Sequence, residues 1–151
     1  MVKKRLAISL FVSILCLPAV AADLKDNRLV LLLDEQARAI ILEQMHFYMQ
    51  GVAAILTALA KGDMKTVARE ARARGQMMPK RVPAEVRQQL PKGLTDIGMT
   101  VHMGFDQLAA DAGGFGDTEQ SLRQISDILR RCSACHATYQ IRSSNFDPLS
   151  Q

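Results

Sequence analysis

Apolar residues recur at spacings of three and four from Leu29 to Ala60, and no other feature of the sequence constrains the fold so strongly. Such spacing places the side chains on one stripe of a long helix, which must be buried against other elements. The stripe consists of Leu33, Ala37, Ile41, Met45, Tyr48, Val52, Ile55 and Leu59. We therefore expect a first helix over 29–60 that ends at Lys61 and Gly62.

The same spacing predicts three further helices, each bounded by capping or helix-breaking residues. They cover 64–74, 94–112 and a last segment that begins at Asp117 or Thr118 and runs up to the cysteines. Prolines exclude a long helix from 76 to 92, so we expect a crossover loop there, with a turn or two over 84–90. No alternation of β-branched residues indicates a sheet. The predicted fold class is all-α: an antiparallel four-helix bundle in one domain, 23–151.

The first 22 residues are predicted to be a signal peptide that is removed on export to the periplasm. A basic start, 3–5, precedes an apolar run that is too short to span a bilayer, and small residues lead to an acidic start at Asp23. Removal lowers the number of basic residues from 19 to 16, against 15 acidic residues. The mature chain is then nearly neutral, so its composition gives no support for nucleic-acid binding, and we expect no membrane partner after the signal is removed.

The cysteines of the mature chain, Cys132 and Cys135, stand next to His136 in the run Cys-Ser-Ala-Cys-His. Covalent haem attachment needs two thiols at a fixed short separation and an adjacent histidine that reaches the iron. We therefore expect one haem c, bound through both sulfurs, with His136 as the proximal iron ligand. A dithiol redox site or half of a zinc site is less favoured, because the run closes a helix and no second ligand pair has zinc spacing.

The position of this run at the end of the last helix resembles the cytochrome c prime family, including its low-spin relatives. The resemblance is specific at Cys132 to Tyr139, which matches the pattern C-x-x-C-H-x-x-Tyr, and at Arg38 with Leu42 on the first helix. Gln140 replaces the basic residue that usually follows the tyrosine. The resemblance implies a four-helix bundle with haem attached on the fourth helix, acting as an electron carrier or a small-gas binder.

The residue that faces the distal side of the iron is left open between two positions of the first helix. By the resemblance it is Leu42, which cannot bind iron and would leave a site open to nitric oxide or carbon monoxide. Met45, three residues on, would instead supply a thioether and give a six-coordinate, low-spin iron. His46 and Met49 are further candidates on the same helix.

Basic side chains are expected to pair with the haem propionates and with a partner protein. The resemblance and the helix position agree on Arg38 for the propionates. Further candidates for the propionates are Arg131 and Arg142, and a docking patch for an acidic redox partner would comprise Arg69, Arg72, Arg74, Lys80 and Arg81. An apolar side of the first helix around Phe47 favours a homodimer.

These features predict a periplasmic monohaem cytochrome that is not an enzyme and that transfers electrons, binds a small gas, or does both. The competing hypothesis is a haem enzyme with peroxidase-like or nitric-oxide-detoxifying activity at an open iron. Such an enzyme needs a distal acid/base, for which the sequence offers His46 and His102.

Overall fold

The computed structural model describes residues 26–75 and 82–145, and within them the chain is mostly helical, as predicted. The predicted signal peptide, 1–22, lies outside these residues, as do Lys80 and Arg81. The elements in chain order are β1 (Leu29–Leu33), α1 (Glu35–Leu59), α2 (Met64–Arg72), α3 (Ala84–Gln88), α4 (Lys92–Gly114), α5 (Thr118–Thr138) and β2 (Tyr139–Ser143). The short helix α3 occupies the segment where a turn or two was predicted.

The first helix begins later than predicted, because Leu29–Leu33 forms a strand. Asp34 has an extended backbone and caps α1, since its carboxylate accepts a hydrogen bond from the Ala37 amide at 2.7 Å. Five consecutive apolar residues fit a helix and a strand equally well, so their partner decides the conformation.

That partner is β2, which follows α5 directly, and the prediction that the chain contains no sheet was wrong. The two strands pair in parallel, with Leu29 opposite Tyr139 and Leu33 opposite Ser143. The amide of Ser144 extends the pairing by donating to the Leu33 carbonyl at 2.7 Å. The sheet therefore joins the segment before α1 to the segment after the Cys-Ser-Ala-Cys-His run.

Four helices, α1, α2, α4 and α5, share one group of buried side chains that we call the main core. Phe105 and Ile55 lie at its centre, 1% and 0% exposed. Burial of side chains of this size contributes about 1.5–3 kcal/mol each. The main core consists of Val52, Ile55, Ala58, Leu59, Val67, Ala71, Val101, Phe105, Leu108, Ala109, Ala112, Ile125 and Ile128.

A separate group, the small core, lies where α1 begins and consists of Leu33, Ala37, Ile41, Val82 and Val86. Ile141 of β2 and Ile40 of α1 pack against it. Helix α1 thus contributes to both cores, with its first turns in the small core and its second half in the main core.

Helix α1 is also the one helix among the described residues that is long and apolar enough to cross a membrane. Length and composition alone are a weak indication, because the core helix of a soluble protein has the same properties. Here Val52, Ile55, Ala58 and Leu59 of α1 are packed into the main core.

Candidate cofactor-binding site

The Cys-Ser-Ala-Cys-His run occupies the last two turns of α5, where the sequence predicted it. Cys132 and Cys135 follow the buried residues Ile125 and Ile128 at helical spacing, so both thiols continue the inward stripe of the helix. Each cysteine is free and half-buried, whereas His136 is exposed. The helix therefore directs two thiols toward the interior and leaves a histidine beside them.

Both thiols are held in their protonated form. Burial raises the pKa of Cys132, and the neighbouring Cys135 raises it further. Burial also raises the pKa of Cys135. Cysteines of dithiol redox sites have lowered pKa values, because the thiolate is their reactive form. The environment of this pair thus disfavours dithiol exchange and preserves neutral thiols for addition to a ligand.

The interior beside this run lacks fully buried side chains on all three helices that surround it. None of residues 42–50 on α1, 92–100 on α4 or 129–138 on α5 is fully buried. Gly98 lies on the inward stripe of α4, and a Cβ added there would meet nothing within 4 Å. The main core and the small core are therefore separated at the level of the two thiols.

Helix α1 also contributes side chains at this level. Tyr48 and Cys132 both pack against the main core, and burial together with the proximity of Cys132 raises the pKa of Tyr48. Nearer the start of α1, Ile40 packs against the small core, as does Ile141 of β2. Residues 41–48 of α1 consequently lie alongside the segment from Cys132 to Ile141.

Leu42 and Met45 both fall within this interval, and both are exposed, at 43% and 37%. A helix turns roughly 100° per residue, so Met45 lies roughly 40° from the buried Ile41 and Leu42 roughly 100° from it. Met45 is thus nearer to the inward side, while Leu42 lies on its flank. Met49 is 62% exposed, and His46, roughly 140° from Ile41, is exposed on the far side of the helix.

The basic side chains predicted to face the cofactor are distributed around the same end of the molecule. Arg38 is half-exposed on α1, one turn before Leu42. Arg131 donates to the Thr100 carbonyl at 2.6 Å, and Arg142 donates to the side chain of Gln140 at 2.9 Å. These contacts fix Arg131 against α4 and Arg142 along β2.

Sequence reasoning missed Arg28, whose guanidinium donates to the His136 carbonyl at 3.4 Å and to the Asp26 carboxylate at 2.7 Å. The carbonyls of the last turn of a helix have no partner within the helix, so Arg28 caps the end of α5 at His136. No local pattern could have found this contact, because it depends on the pairing of β1 with β2.

Sequence reasoning also placed Arg74 wrongly, in an exposed docking patch. Arg74 is 5% exposed, and its guanidinium donates to the Glu70 carboxylate at 2.8 Å. The same guanidinium lies 4.2 Å from the centre of the Phe47 ring, so Phe47 is partly covered within its own chain. Arg74 follows the end of α2 and folds back across α1, where Gly51 leaves room for it.

His102 is buried beside Arg74, at 9% exposed. Its Nδ1 lies 3.0 Å from the Arg74 carbonyl oxygen, and the Tyr48 hydroxyl lies 3.0 Å from its Nε2 and 3.1 Å from its Nδ1. Tyr48 in turn stacks on Phe105 of the main core. Both ring nitrogens of His102 are therefore engaged.

The described side chains form no site for a bare metal ion. Among residues 26–75 and 82–145, no group of three or more His, Cys, Asp or Glu side chains could hold a bare metal ion. A haem iron receives four ligands from the porphyrin and needs one or two from the protein, and His136 is the candidate donor in this run. No family model, curated protein or solved structure matches the chain.

Proposed function

We propose that the protein is a c-type cytochrome with one covalently attached haem, exported to the periplasm, where it carries electrons or binds a small gas. One observation carries the proposal: Cys132 and Cys135, next to His136, point from α5 into an interior that lacks buried side chains at their level. A large apolar ring would cover the half-buried and exposed side chains at this level, and the two thiols are spaced for its attachment.

In this proposal α1, α2, α4 and α5 form an antiparallel four-helix bundle. Short connections join α1 to α2, and α2 packs between α1 and α4 while α4 packs against α5. This order of neighbours, with one shared core, supports the bundle. It brings the distal face of α1 opposite the end of α5.

Each residue of the site has a separate role. Cys132 and Cys135 hold the ring edge through thioether bonds, and His136 binds the iron on the proximal side. Bound haem supplies a one-electron redox couple and, where a coordination position is open, a site for nitric oxide or carbon monoxide. Arg28 holds the backbone of His136, and Arg38 lies on the flank of α1 that would meet the propionates.

Attachment is tested by expressing the full chain together with a cytochrome c maturation system. We expect the haem to stay with the polypeptide after boiling in detergent and electrophoresis, and the mass to increase by one haem. The variants Cys132→Ala and Cys135→Ala should each lose a thioether bond, and the double variant should retain no haem. Ser133→Ala, within the same run, is the matched control and should keep it. Retention of haem by the double variant would refute attachment at this site.

The distal residue is tested by absorption spectra of the ferric protein. If Met45 binds the iron, the methionine–iron charge-transfer band near the red end is present, and it disappears in Met45→Ala but not in Leu42→Ala. If Leu42 faces an open iron, the band is absent, and carbon monoxide binds the ferrous protein without displacing a ligand. In that case Leu42→Ala should admit larger ligands.

A peroxidase-like enzyme receives less support from the structure. His46 is exposed on the far side of α1, and both ring nitrogens of His102 are engaged by hydrogen bonds. A distal acid/base must have a nitrogen available for the substrate. Peroxide turnover that falls in a His102→Gln variant, but not in His46→Gln, would favour the enzyme.

A further inference from the structure

The buried polar group beside Cys132 is the feature that attachment of a cofactor leaves unexplained. Arg74, at 5%, and His102, at 9%, are among the least exposed polar residues of the described chain. Burial of polar groups is costly unless every donor and acceptor is paired, and most cores avoid it. Here the group joins three helices: Tyr48 from α1, Arg74 after α2, and His102 on α4.

The partners of His102 determine which of its nitrogens carries a proton. The Arg74 carbonyl can only accept, so Nδ1, at 3.0 Å from it, is protonated. In the neutral ring Nε2 then has the lone pair, and it can accept from the Tyr48 hydroxyl, which lies 3.0 Å from Nε2 and 3.1 Å from Nδ1. Addition of a proton to Nε2 would reverse this second bond, because the Tyr48 oxygen can accept as well as donate.

Tyr48 provides the connection to the attachment site. Its ring packs with Cys132 against the main core. Burial, and then Cys132, raise the pKa of Tyr48, while Arg74 lowers it. Tyr48 therefore stays protonated at neutral pH and can serve both states of His102. Tyr48 is thus hydrogen-bonded to His102 and packs against the same core as Cys132.

The charged groups around His102 allow it to gain a positive charge. Arg74 is the nearby cation, and Glu70 compensates it through an ion pair at 2.8 Å. A second carboxylate, Asp106, lies one turn after His102 on α4 and against Gly75. Titratable or charged side chains on the elements packed around His102 are Tyr48 of α1, Glu70 and Arg74 of the α2 segment, Asp106 of α4, and Cys132 and Arg131 of α5, where Arg131 donates to the Thr100 carbonyl.

We propose that His102 takes up a proton when the attached haem is reduced, so that electron transfer through this protein is coupled to proton uptake. This inference rests on the proposed function. The added electron makes the region around Cys132 more negative, which stabilises a positive charge on His102. The structure thereby assigns a proton site to a histidine that binds neither the iron nor the substrate.

The coupled step balances as follows in atoms and charge. A one-electron donor, such as a reduced redox protein, gives one electron to the haem, and water gives one proton to Nε2 of His102. One N–H bond forms, and the Tyr48 hydroxyl changes from donor to acceptor toward that nitrogen. Oxidation releases the electron and the proton together, so no other reactant is required.

The test is the midpoint potential of the haem-loaded protein measured spectroelectrochemically as a function of pH. Over the pH range in which reduction is accompanied by proton uptake, the midpoint potential of the wild-type protein should fall as the pH rises. One proton per electron changes the equilibrium constant up to tenfold per pH unit, which is ~59 mV for a one-electron couple. His102→Gln keeps a donor and an acceptor but cannot titrate, so its potential should lose this dependence.

His46→Gln is the matched control, because His46 is an exposed histidine on α1 and should leave the dependence unchanged. Tyr48→Phe is a second variant, which removes the hydrogen bond between Tyr48 and His102 but keeps His102. It should weaken the dependence of the midpoint potential on pH. In addition, NMR of the ring signals should show His102 titrating at higher pH in the ferrous protein than in the ferric protein.

Two results would overturn the inference while leaving the proposed function intact. One is a His102→Gln protein that carries covalent haem and keeps the wild-type dependence on pH. The other is a His102 ring that titrates identically in both oxidation states. A chain that attaches no haem in the detergent assay overturns the proposed function and this inference together.

Discussion

The main core and the small core differ in how completely protein side chains close them. Four helices interlock around Phe105 in the main core, whereas the small core is built from a strand, the start of α1 and the segment around α3. The Cys-Ser-Ala-Cys-His run lies between the two. The difference indicates that the main core holds the four helices together, while the opposite end has fewer buried side chains to stabilise it.

Phe105→Ala should have the largest effect, because it opens the main core. We expect a loss of about 3–5 kcal/mol in the free energy of unfolding, since a large buried ring leaves a cavity. Urea denaturation followed by circular dichroism measures it. Phe115→Ala is the control, because Phe115 is 88% exposed and its loss should change stability by less than about 0.5 kcal/mol. Equal effects of the two variants would contradict the assignment of the main core.

Leu33→Ala should have a smaller effect, because the small core has fewer neighbours to lose. We expect about 2–3 kcal/mol, at the low end for a buried leucine. The neighbouring Leu32, on the other face of the same strand, is 59% exposed and provides a matched control. Hydrogen exchange should show the loss of protection concentrated in β1 and β2 for Leu33→Ala. Equal loss throughout α2 and α4 would show that the two cores are not separate.

The helix caps Asp34 and Asp117 allow the contribution of N-capping to stability to be compared between the small core and the main core. Asp34 accepts from the Ala37 amide at 2.7 Å at the small core, and Asp117 accepts from the Gln120 amide at 3.0 Å at the main-core end of α5. Replacement by alanine should cost about 1 kcal/mol at each position, and replacement by asparagine much less. Thermal unfolding of the four variants tests this, and an asparagine variant as unstable as its alanine counterpart would contradict the capping role.

The smallest effect is expected from the pair Asp26–Arg28, beside the end of α5. Hydrogen bonds from Arg28 lower the pKa of Asp26 to about 2. A pKa that is lower in the folded state stabilises the fold above the unfolded value near 3.8, and this contribution is lost as the pH falls toward 2. The pair is exposed, so high salt should weaken it. NMR titration of the Asp26 carboxyl measures its pKa, and Asp26→Asn is the control that identifies which Arg28 signals respond to it. An Asp26 pKa equal to the unfolded value near 3.8 would exclude the pairing.

The sequence predicted the long helices well because their signals are local. Asp63 caps α2 by accepting a hydrogen bond from the Thr66 amide at 3.0 Å, and Cys132 to His136 lie in the last turns of α5. The start of α1 was predicted wrongly because the apolar run at Leu29–Leu33 has no strong period of its own. The capping residue Asp34, directly before Glu35, was the local signal that could have corrected it.

The buried polar group of Tyr48, Arg74 and His102 could not be predicted, because its members come from separate elements. Arg74 was predicted to belong to a basic surface. Only the tertiary fold brings its guanidinium over the Phe47 ring and its carbonyl oxygen within hydrogen-bond distance of His102. His102 has the spacing of a residue at the edge of an apolar stripe, which indicates neither its burial nor its partners. The distal side of the iron remains a prediction for the same reason, since rotation of α1 decides between Leu42 and Met45.

The pairing of β1 with β2 also sets an order for folding. Leu29 and Tyr139 lie near opposite ends of the described residues, so closing the sheet requires a long loop. Contacts between distant segments form late, after helices and local contacts. Strand β2 emerges after His136, so the sheet can close only once the attachment run has been synthesised. We therefore expect the helices to assemble first and the strands to fasten the two ends of the chain last.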